Sequence, residues 1–285
     1  MNRIIYYYQE FIDLEKWIYD LKATHIIISS LHFGINEDKS PYIHLNDNIP
    51  YSSKYDRLWE QTEQMSKNGI TIMVMLGGAG GAYQQMFENY DIYYKMLLDL
   101  IKNKSWISGI DLDIEETVSI KNTQKLIGDL NRDLPEDFII TMAPLANSLT
   151  DNGGSMAGFS YKELYNSEAG KRINWFNGQF YGNFSLETCD QIVKNGYPMN
   201  KVVCGMLYSS DNPLEAYLEE IIKIHNKYPD FGGVDVWELY LTIKGKNIGY
   251  WADKIYNALY NNENERLNQY SQTSQLMSMI KCSIS

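Results

Sequence analysis

Basic residues are scarce in this chain, and so are long apolar runs. Lys and Arg together number 25 against 36 Asp and Glu in 285 residues, which gives a formal net charge of -11 at pH 7. Phosphate binding draws on a surplus of Lys and Arg, so this shortage argues against a nucleic-acid partner and favours a neutral one. No apolar run reaches the roughly 18 residues that a spanning helix needs, so we expect no membrane partner either.

Cysteine is equally scarce, and histidine is scattered. The three cysteines, Cys189, Cys204 and Cys282, show no paired C-x-x-C spacing, and the four histidines show no ligand spacing. Neither a disulfide framework nor a zinc site is therefore predicted, and we expect no metal and no cofactor. The G-x-S-x-G motif of serine hydrolases is also missing.

The composition and the N-terminus place the chain among ordinary globular proteins. Hydrophobic residues make up 44% and charged residues 21%, which excludes disorder and a coiled coil. The first residues are too short and too polar to form a signal peptide, so we expect a cytoplasmic protein or a mature secreted form that has lost its leader. The 23 tyrosines and six tryptophans would suit stacking against sugars.

Short β-rich runs alternate with amphipathic segments along most of the chain. The eight runs span residues 4–8, 25–33, 70–76, 109–115, 138–144, 173–181, 202–207 and 233–239. The amphipathic segments 51–67, 90–102, 120–134 and 214–228 carry apolar residues at three- and four-residue spacing. A strand followed by a helix, repeated eight times, predicts an α/β fold of the single (β/α)8 TIM barrel type.

This barrel should occupy residues 1–261, with a polar C-terminal extension over 262–285, and we expect a monomer. An open doubly wound sheet is the alternative, because a glycine-rich stretch from Gly77 to Ala82 follows the third strand. Tyr83 stands where G-x-G-x-x-G needs its third glycine, and that motif belongs after a first strand. The barrel is therefore favoured.

Acidic and aliphatic residues alternate strictly over residues 110–115. Alternate residues of a strand share a face, so Asp111, Asp113 and Glu115 should point into the barrel. A solvated edge strand could carry such a face, but a barrel has no edges and buried unpaired carboxylates are strongly disfavoured. Active sites lie at the carboxyl ends of barrel strands, which makes Glu115 the predicted proton donor. Glu116 should face outward.

These acids resemble the D-x-x-D-x-D-x-E signature of glycoside hydrolase family 18, the chitinases and endo-β-N-acetylglucosaminidases. The match holds at Asp111, Asp113 and Glu115, whereas Ser108 replaces the first Asp. Because Ser108 begins the strand farthest from the chemistry, we expect it to affect packing or pKa tuning rather than to abolish activity. The segment 179–183, Q-F-Y-G-N, resembles the Q-F-Y-N-N of plant class III and related bacterial chitinases. The resemblance spans about residues 4 to 240.

The resemblance implies a substrate-assisted mechanism that needs no enzyme nucleophile. Glu115 would protonate the glycosidic oxygen while the 2-acetamido oxygen of the substrate attacks the anomeric carbon. Asp113 would hold the acetamido N–H, Tyr181 would hydrogen-bond its oxygen, and Asp111 would pair with Asp113. The expected partner is an oligo- or polysaccharide that contains N-acetylglucosamine.

The same resemblance implies a set of substrate-binding residues at strand ends. Trp237 would form the hydrophobic floor beneath the sugar, and Gln179 and Asn183 would supply polar contacts. The set is completed by Met142, Gly78 and Tyr6.

Two questions stay open at this level. A catalytically silent relative that binds glycans as a lectin would keep the cleft, although the presence of Glu115 favours an enzyme. A structural subunit of a larger assembly could also retain the site. Within the enzymes, chitinases and endo-β-N-acetylglucosaminidases share the catalytic strand, and the sequence does not separate them. No appended sugar-binding module is visible, so we expect a soluble oligosaccharide rather than crystalline chitin as the substrate.

Overall fold

A closed parallel sheet forms the centre of the computed structural model, which describes residues 2–150, 154–207, 214–243 and 249–260. The described strands are β1 (Arg3–Tyr8), β2 (His25–Ile35), β3 (Pro41–Leu45), β4 (Thr71–Gly77), β5 (Ile107–Asp113), β6 (Ile139–Met142), β7 (Trp175–Gln179), β8 (Val202–Leu207) and β9 (Gly233–Trp237). All except β3 run parallel, and the sheet closes because β1 pairs with both β2 and β9. The predicted eight-stranded barrel is confirmed, and the open sheet is excluded.

Helices surround this barrel and follow its strands in chain order. They are α1 (Asp56–Lys67), α2 (Tyr83–Glu88), α3 (Tyr90–Asn103), α4 (Ile120–Asp133), α5 (Tyr161–Tyr165), α6 (Leu186–Lys194), α7 (Leu214–Lys227), α8 (Leu239–Ile243) and α9 (Gly249–Tyr260). The four predicted amphipathic segments correspond to α1, α3, α4 and α7. The predicted and observed ends differ by five residues or fewer. No helix in the described part of the chain is long and apolar enough to cross a membrane.

The antiparallel strand β3 was not predicted. It lies beside the second half of β2, with Leu31 opposite Leu45 and Ile35 opposite Pro41, so β2 also extends two residues beyond the predicted run. Only Ile43 and Leu45 of β3 are buried. A five-residue segment with two buried positions is too short for its alternation to stand out from the polar residues before it.

The two faces of the barrel strands pack into separate cores. Outward-facing residues such as Ile4, Ile110 and Val234 join one large cluster with the helices. A second, smaller cluster fills the barrel interior with Ile5, Tyr7, Ile27, Met73, Met75, Trp175 and Val203. The interior is thus packed with side chains, as is usual for this fold.

Two of the three cysteines lie within the described residues. Cys189 on α6 and Cys204 on β8 are buried free thiols with sulfur atoms 3.8 Å apart. Cys282 and the predicted extension 262–285 lie outside the described residues.

Barrel closure gives a test of the fold at Gly233, where β9 meets both β1 and β8. Its φ is +113°, and a Cβ atom there would lie 2.1 Å from the carbonyl oxygen of Arg3. We expect Gly233→Ala to lower the free energy of unfolding by at least about 2 kcal/mol, because strain and overlap add. Urea denaturation measures this change.

The control is the same substitution at Gly128 on α4, where a Cβ atom meets nothing within 4 Å. Replacing a helical glycine by alanine should raise the free energy of unfolding by about 0.5–1 kcal/mol. Equal effects of the two substitutions would contradict the tight contact between β9 and β1.

Candidate active site

Three acidic side chains point into the barrel toward the carboxyl ends of the strands. Asp113 is the last residue of β5, with Asp111 two residues before it and Glu115 two residues after it. Asp111 and Asp113 are buried, whereas Glu115 is partly exposed. Leu112, between the two aspartates, packs outward against the helices. The predicted alternation of faces is therefore present in this strand.

Asp111 lies deepest and receives hydrogen bonds from several strands. The hydroxyl of Tyr7 on β1 donates to Oδ2 at 2.8 Å, and the amide of Asn177 on β7 donates to Oδ1 at 3.0 Å. The hydroxyl of Thr141 on β6 also donates to Oδ1. Burial raises the pKa of Asp111, and these three donors oppose the rise because they stabilise the charged form.

A single side-chain amide links the two acids nearest to the opening. The Nε2 atom of Gln179 on β7 lies 3.3 Å from Oδ1 of Asp113 and 3.2 Å from Oε1 of Glu115. The same nitrogen donates to the carbonyl oxygen of Ala143 at 3.0 Å, which fixes its orientation. The Gln179 amide therefore contacts the carboxyl groups of both Asp113 and Glu115.

Asp113 has an unusual electrostatic environment. Burial raises its pKa well above the ordinary value, and the nearby acids Glu115, Asp111 and Asp235 raise it further, whereas the hydrogen bond from Gln179 lowers it. Such surroundings disfavour the ionised form, which a positive charge or a new donor would stabilise. Strongly shifted carboxyl groups of this kind are typical of catalytic sites.

Two aromatic residues complete the walls around these acids. The ring of Trp237, at the end of β9, packs on Tyr7 with 5.4 Å between ring centroids. Tyr181 follows β7, and burial raises the pKa of its hydroxyl well above the ordinary value, with further contributions from Asp235, Asp113 and Glu115. Tyr181 therefore stays a neutral hydroxyl that can donate a hydrogen bond.

The glycine-rich loop after β4 lies directly against Asp113. The Gly78 N–H donates to the carbonyl oxygen of Asp113 at 2.9 Å. A Cβ atom on Gly78 would come within 2.5 Å of the Met75 side chain and 3.5 Å of the Asp113 carboxylate. Glycine at this position thus lets the loop backbone approach the acid.

Glu116 points away from the barrel interior, as predicted, and connects two loops. Its carboxylate accepts hydrogen bonds from the backbone N–H groups of Tyr83 at 2.6 Å and Gln84 at 3.3 Å, and also from that of Ala82. These N–H groups lie at the start of α2, where a negative charge is favourable. The contacts attach the glycine-rich loop to the segment that carries Glu115.

Solved structures of known enzymes resemble this chain over most of its length. A fungal endo-β-N-acetylglucosaminidase from glycosyl hydrolase family 18 is 31% identical, over 92% of this chain and 99% of that one, with a TM-score of 0.82. The chitinase ChiC from Aspergillus fumigatus is also 31% identical, over 91% of this chain and 100% of that one, with a TM-score of 0.78. The chain belongs to glycoside hydrolase family 18.

Other known proteins resemble this chain less closely or do not match it. A family 18 chitinase from Pseudoalteromonas aurantia, 23% identical over 90% of this chain and 100% of that one, shares the fold with a TM-score of 0.74. No family model matches the chain, and no curated protein does. In the described residues, no group of three or more His, Cys, Asp or Glu side chains could hold a metal ion.

Two of the predicted substrate-binding residues of this family 18 protein do not reach the cleft. Tyr6 is fully buried between the barrel and the helices, because it faces outward from β1, and Tyr7 faces the interior in its place. Met142 likewise faces the helices, since Thr141 takes the inward position on β6. The inward positions on these two strands thus belong to Tyr7 and Thr141, because successive residues of a strand face opposite sides.

The remaining predicted residues are divided between the centre and the rim of the site. Gly78, Gln179, Tyr181 and Trp237 lie around the acids, as described above. The amide of Asn183 instead donates to Oδ1 of Asn147 at 2.7 Å, between the loops that follow β7 and β6.

Ser108 lies at the opposite end of β5 from Glu115. Its side chain is exposed, and its hydroxyl reaches the carbonyl oxygen of Trp106 at 3.4 Å. This position agrees with the expectation that Ser108 lies far from the chemistry. Its effect on activity stays a prediction.

Sequence reasoning missed four inward-facing polar residues of the family 18 site: Tyr7, Thr141, Asn177 and Asp235. The first three bind Asp111 and occur in strands that look apolar or mixed, so only the register of the barrel identifies them. Asp235 did leave a signal, since it stands between two valines in β9 just as Asp111 stands between aliphatic residues in β5.

The donors to Asp111 predict a pH-dependent stability. Tyr7→Phe removes one donor and should lower the free energy of unfolding near neutral pH by about 1.5–3 kcal/mol, the usual value of a hydrogen bond to a charged group. Losing the donor raises the pKa of folded Asp111 further above its unfolded value. The deficit is therefore smallest below the unfolded pKa and grows as the pH rises through the folded pKa.

Urea denaturation at several pH values measures this deficit, with Tyr83→Phe as the matched control. Tyr83 is also fully buried, but its hydroxyl donates to the carbonyl oxygen of Leu76, which does not titrate. Its removal should cost about 0.5–1.5 kcal/mol at every pH. A deficit that is independent of pH in Tyr7→Phe would refute an ionised Asp111.

Proposed function

We propose that this protein is a glycoside hydrolase that cleaves β-1,4 linkages in N-acetylglucosamine-containing glycans, with chitin oligosaccharides as substrates, by a substrate-assisted retaining mechanism. The observation that carries this proposal is the pair of carboxyl groups of Asp113 and Glu115, held by one Gln179 amide at the open end of the barrel. The family and the position of the acids support the proposal together, because active sites of this fold lie at this end.

In the first step, Glu115 gives its proton to the glycosidic oxygen as the bond between that oxygen and the anomeric carbon breaks. The acetamido oxygen of the same sugar forms the new bond to the anomeric carbon, and an oxazolinium ion results. Glu115 suits the donor role because it is the acid beyond the strand end and is partly exposed, so a glycan can reach it. Intramolecular attack gains from a geometry that is fixed in advance.

Asp113 and Tyr181 would orient the acetamido group for this attack. The acetamido N–H would donate to Asp113, and the positive charge of the oxazolinium ion would favour the ionised form of this buried carboxyl group. The Tyr181 hydroxyl would donate to the acetamido oxygen, and the face of Trp237 would support the sugar ring. In the second step, Glu115 takes a proton from water as the water oxygen adds to the anomeric carbon. The bond between that carbon and the acetamido oxygen breaks at the same time, and the two successive inversions retain the configuration.

An endo-β-N-acetylglucosaminidase acting on N-glycans is the second candidate. The fungal endo-β-N-acetylglucosaminidase has a TM-score of 0.82, against 0.78 for the Aspergillus fumigatus chitinase, at the same 31% identity. The two activities would use the same acids, so the choice rests on the glycan that the surrounding loops admit.

The test compares the wild type with Glu115→Gln on a fluorogenic chitotrioside and on a high-mannose glycopeptide. We expect the substitution to lower kcat by about a hundredfold to ten-thousandfold, because the general acid is lost while the side-chain shape is kept. Product release over time measures the rates, and the substrate that turns over identifies the activity.

Glu63→Gln on α1 is the matched control, since it makes the same chemical change on a helix outside the barrel. It should leave kcat unchanged. If neither wild type nor Glu115→Gln cleaves either substrate while both bind the sugars with similar affinity, the hydrolase proposal fails and a lectin is favoured instead.

A further inference from the structure

A third aspartate lies inside the barrel and has no role in the mechanism above. Asp235 is on the inward face of β9, two residues before Trp237, and only 2% of its surface is exposed. Its Oδ2 atom has no hydrogen-bond partner among the residues that the structure describes. A buried polar atom without a partner is rare in native structures and requires an explanation.

The carboxyl group of Asp235 extends sideways across β8. Gly205 on β8 is paired with Asp235 on one side and with Gln179 of β7 on the other. A Cβ atom on Gly205 would lie 2.8 Å and 3.1 Å from the two carboxyl oxygens of Asp235. The carboxyl group therefore occupies the space that any other residue at position 205 would fill, and it points toward β7.

Tyr181 lies on the far side of this glycine. It follows Gln179 by two residues, and the Phe180 N–H between them donates to the carbonyl oxygen of Gly205 at 3.2 Å. After burial, Asp235 has the largest influence on the pKa of Tyr181, ahead of Asp113. Asp235 and Tyr181 therefore lie on the two sides of Gly205, and no direct hydrogen bond joins them.

We propose that Asp235 is a positioning residue for Tyr181: as a neutral acid it leaves the Tyr181 hydroxyl free to donate to the substrate, and as a carboxylate it draws that hydrogen toward itself. The inference rests on the proposed function, in which the Tyr181 hydroxyl holds the acetamido oxygen. Beyond that function, Asp235 makes substrate binding depend on pH, although it is not part of the D-x-x-D-x-D-x-E signature.

The surroundings of Asp235 decide which form is present. Burial raises its pKa well above the ordinary value, and the negative charge of Asp111 raises it further. The other titratable groups that face it are Tyr7 on β1, Asp113 on β5 and Tyr181 itself. None of these groups is basic, so no positive charge within the described ranges favours the ionised form of Asp235.

The test measures chitotriose binding by calorimetry over a range of neutral to alkaline pH. All proteins carry Glu115→Gln, which prevents turnover. We expect the affinity of this parent to fall about three- to tenfold as the pH rises through the pKa of Asp235, the effect of one lost hydrogen bond. Adding Asp235→Asn should abolish the fall, because the amide keeps the shape but cannot ionise.

Two controls separate this role from a structural one. In a parent that also carries Tyr181→Phe, Asp235→Asn should make no difference at any pH, because the hydroxyl on which it acts is gone. Asp129→Asn on α4 changes a buried aspartate outside the barrel and should leave the pH dependence unchanged. Circular dichroism at each pH verifies that every variant is folded.

The possible outcomes are distinct. The same alkaline fall with and without Asp235→Asn would overturn the inference and leave the proposed function intact. An effect of Asp235→Asn that persists with Tyr181→Phe would also overturn it, since Asp235 would then act on another group. Failure of the parent to bind chitotriose at any pH would overturn the proposed function, and the inference with it.

Discussion

The site depends on how carboxyl groups are accommodated inside a barrel that is otherwise packed with side chains. Asp111 is fully buried, but it accepts hydrogen bonds from Tyr7, Thr141 and Asn177 on three different strands. β6 and β7 follow β5 in the sheet, whereas β1 reaches Asp111 only because it closes the barrel between β9 and β2. Closure is therefore a condition for holding a negative charge at this depth, and the acidic strand could not exist in an isolated βα unit.

The number of hydrogen-bond donors decreases from one interior acid to the next. Three side chains donate to Asp111 and the Gln179 amide donates to Asp113, whereas Oδ2 of Asp235 has no partner in the described part of the chain. Burial raises the pKa of all three acids, but the rise is larger for Asp113 and Asp235 than for Asp111. Among the three, Asp111 is the acid whose charged form the hydrogen-bond donors stabilise most. A buried acid that is neutral at rest can take up charge when a cationic intermediate forms beside it.

The sequence allowed the eight strands and the inward direction of the acids to be predicted, because both follow from local periodicity. It did not allow the donors to Asp111 to be found, since a threonine or an asparagine acquires its role only through the register between strands. The outward direction of Tyr6 and Met142 has a different origin. A motif places residues along the chain, whereas the side of the sheet is set by position within the strand, and a shift of one residue exchanges the two faces. The same rule applied to β9 would have identified Asp235.

The alternation of faces continues past the end of β5, at Glu115 and Glu116. Glu115 keeps the inward direction of Asp113, so Glu116 must face the other way, where it accepts hydrogen bonds from the backbone at the start of α2. The Gly78 N–H meanwhile binds the carbonyl oxygen of Asp113. The two loops are therefore joined on both sides of Glu115 by contacts to backbone atoms, which do not depend on the protonation of the interior acids. A proton can then move within the site while the distances that intramolecular attack requires stay fixed.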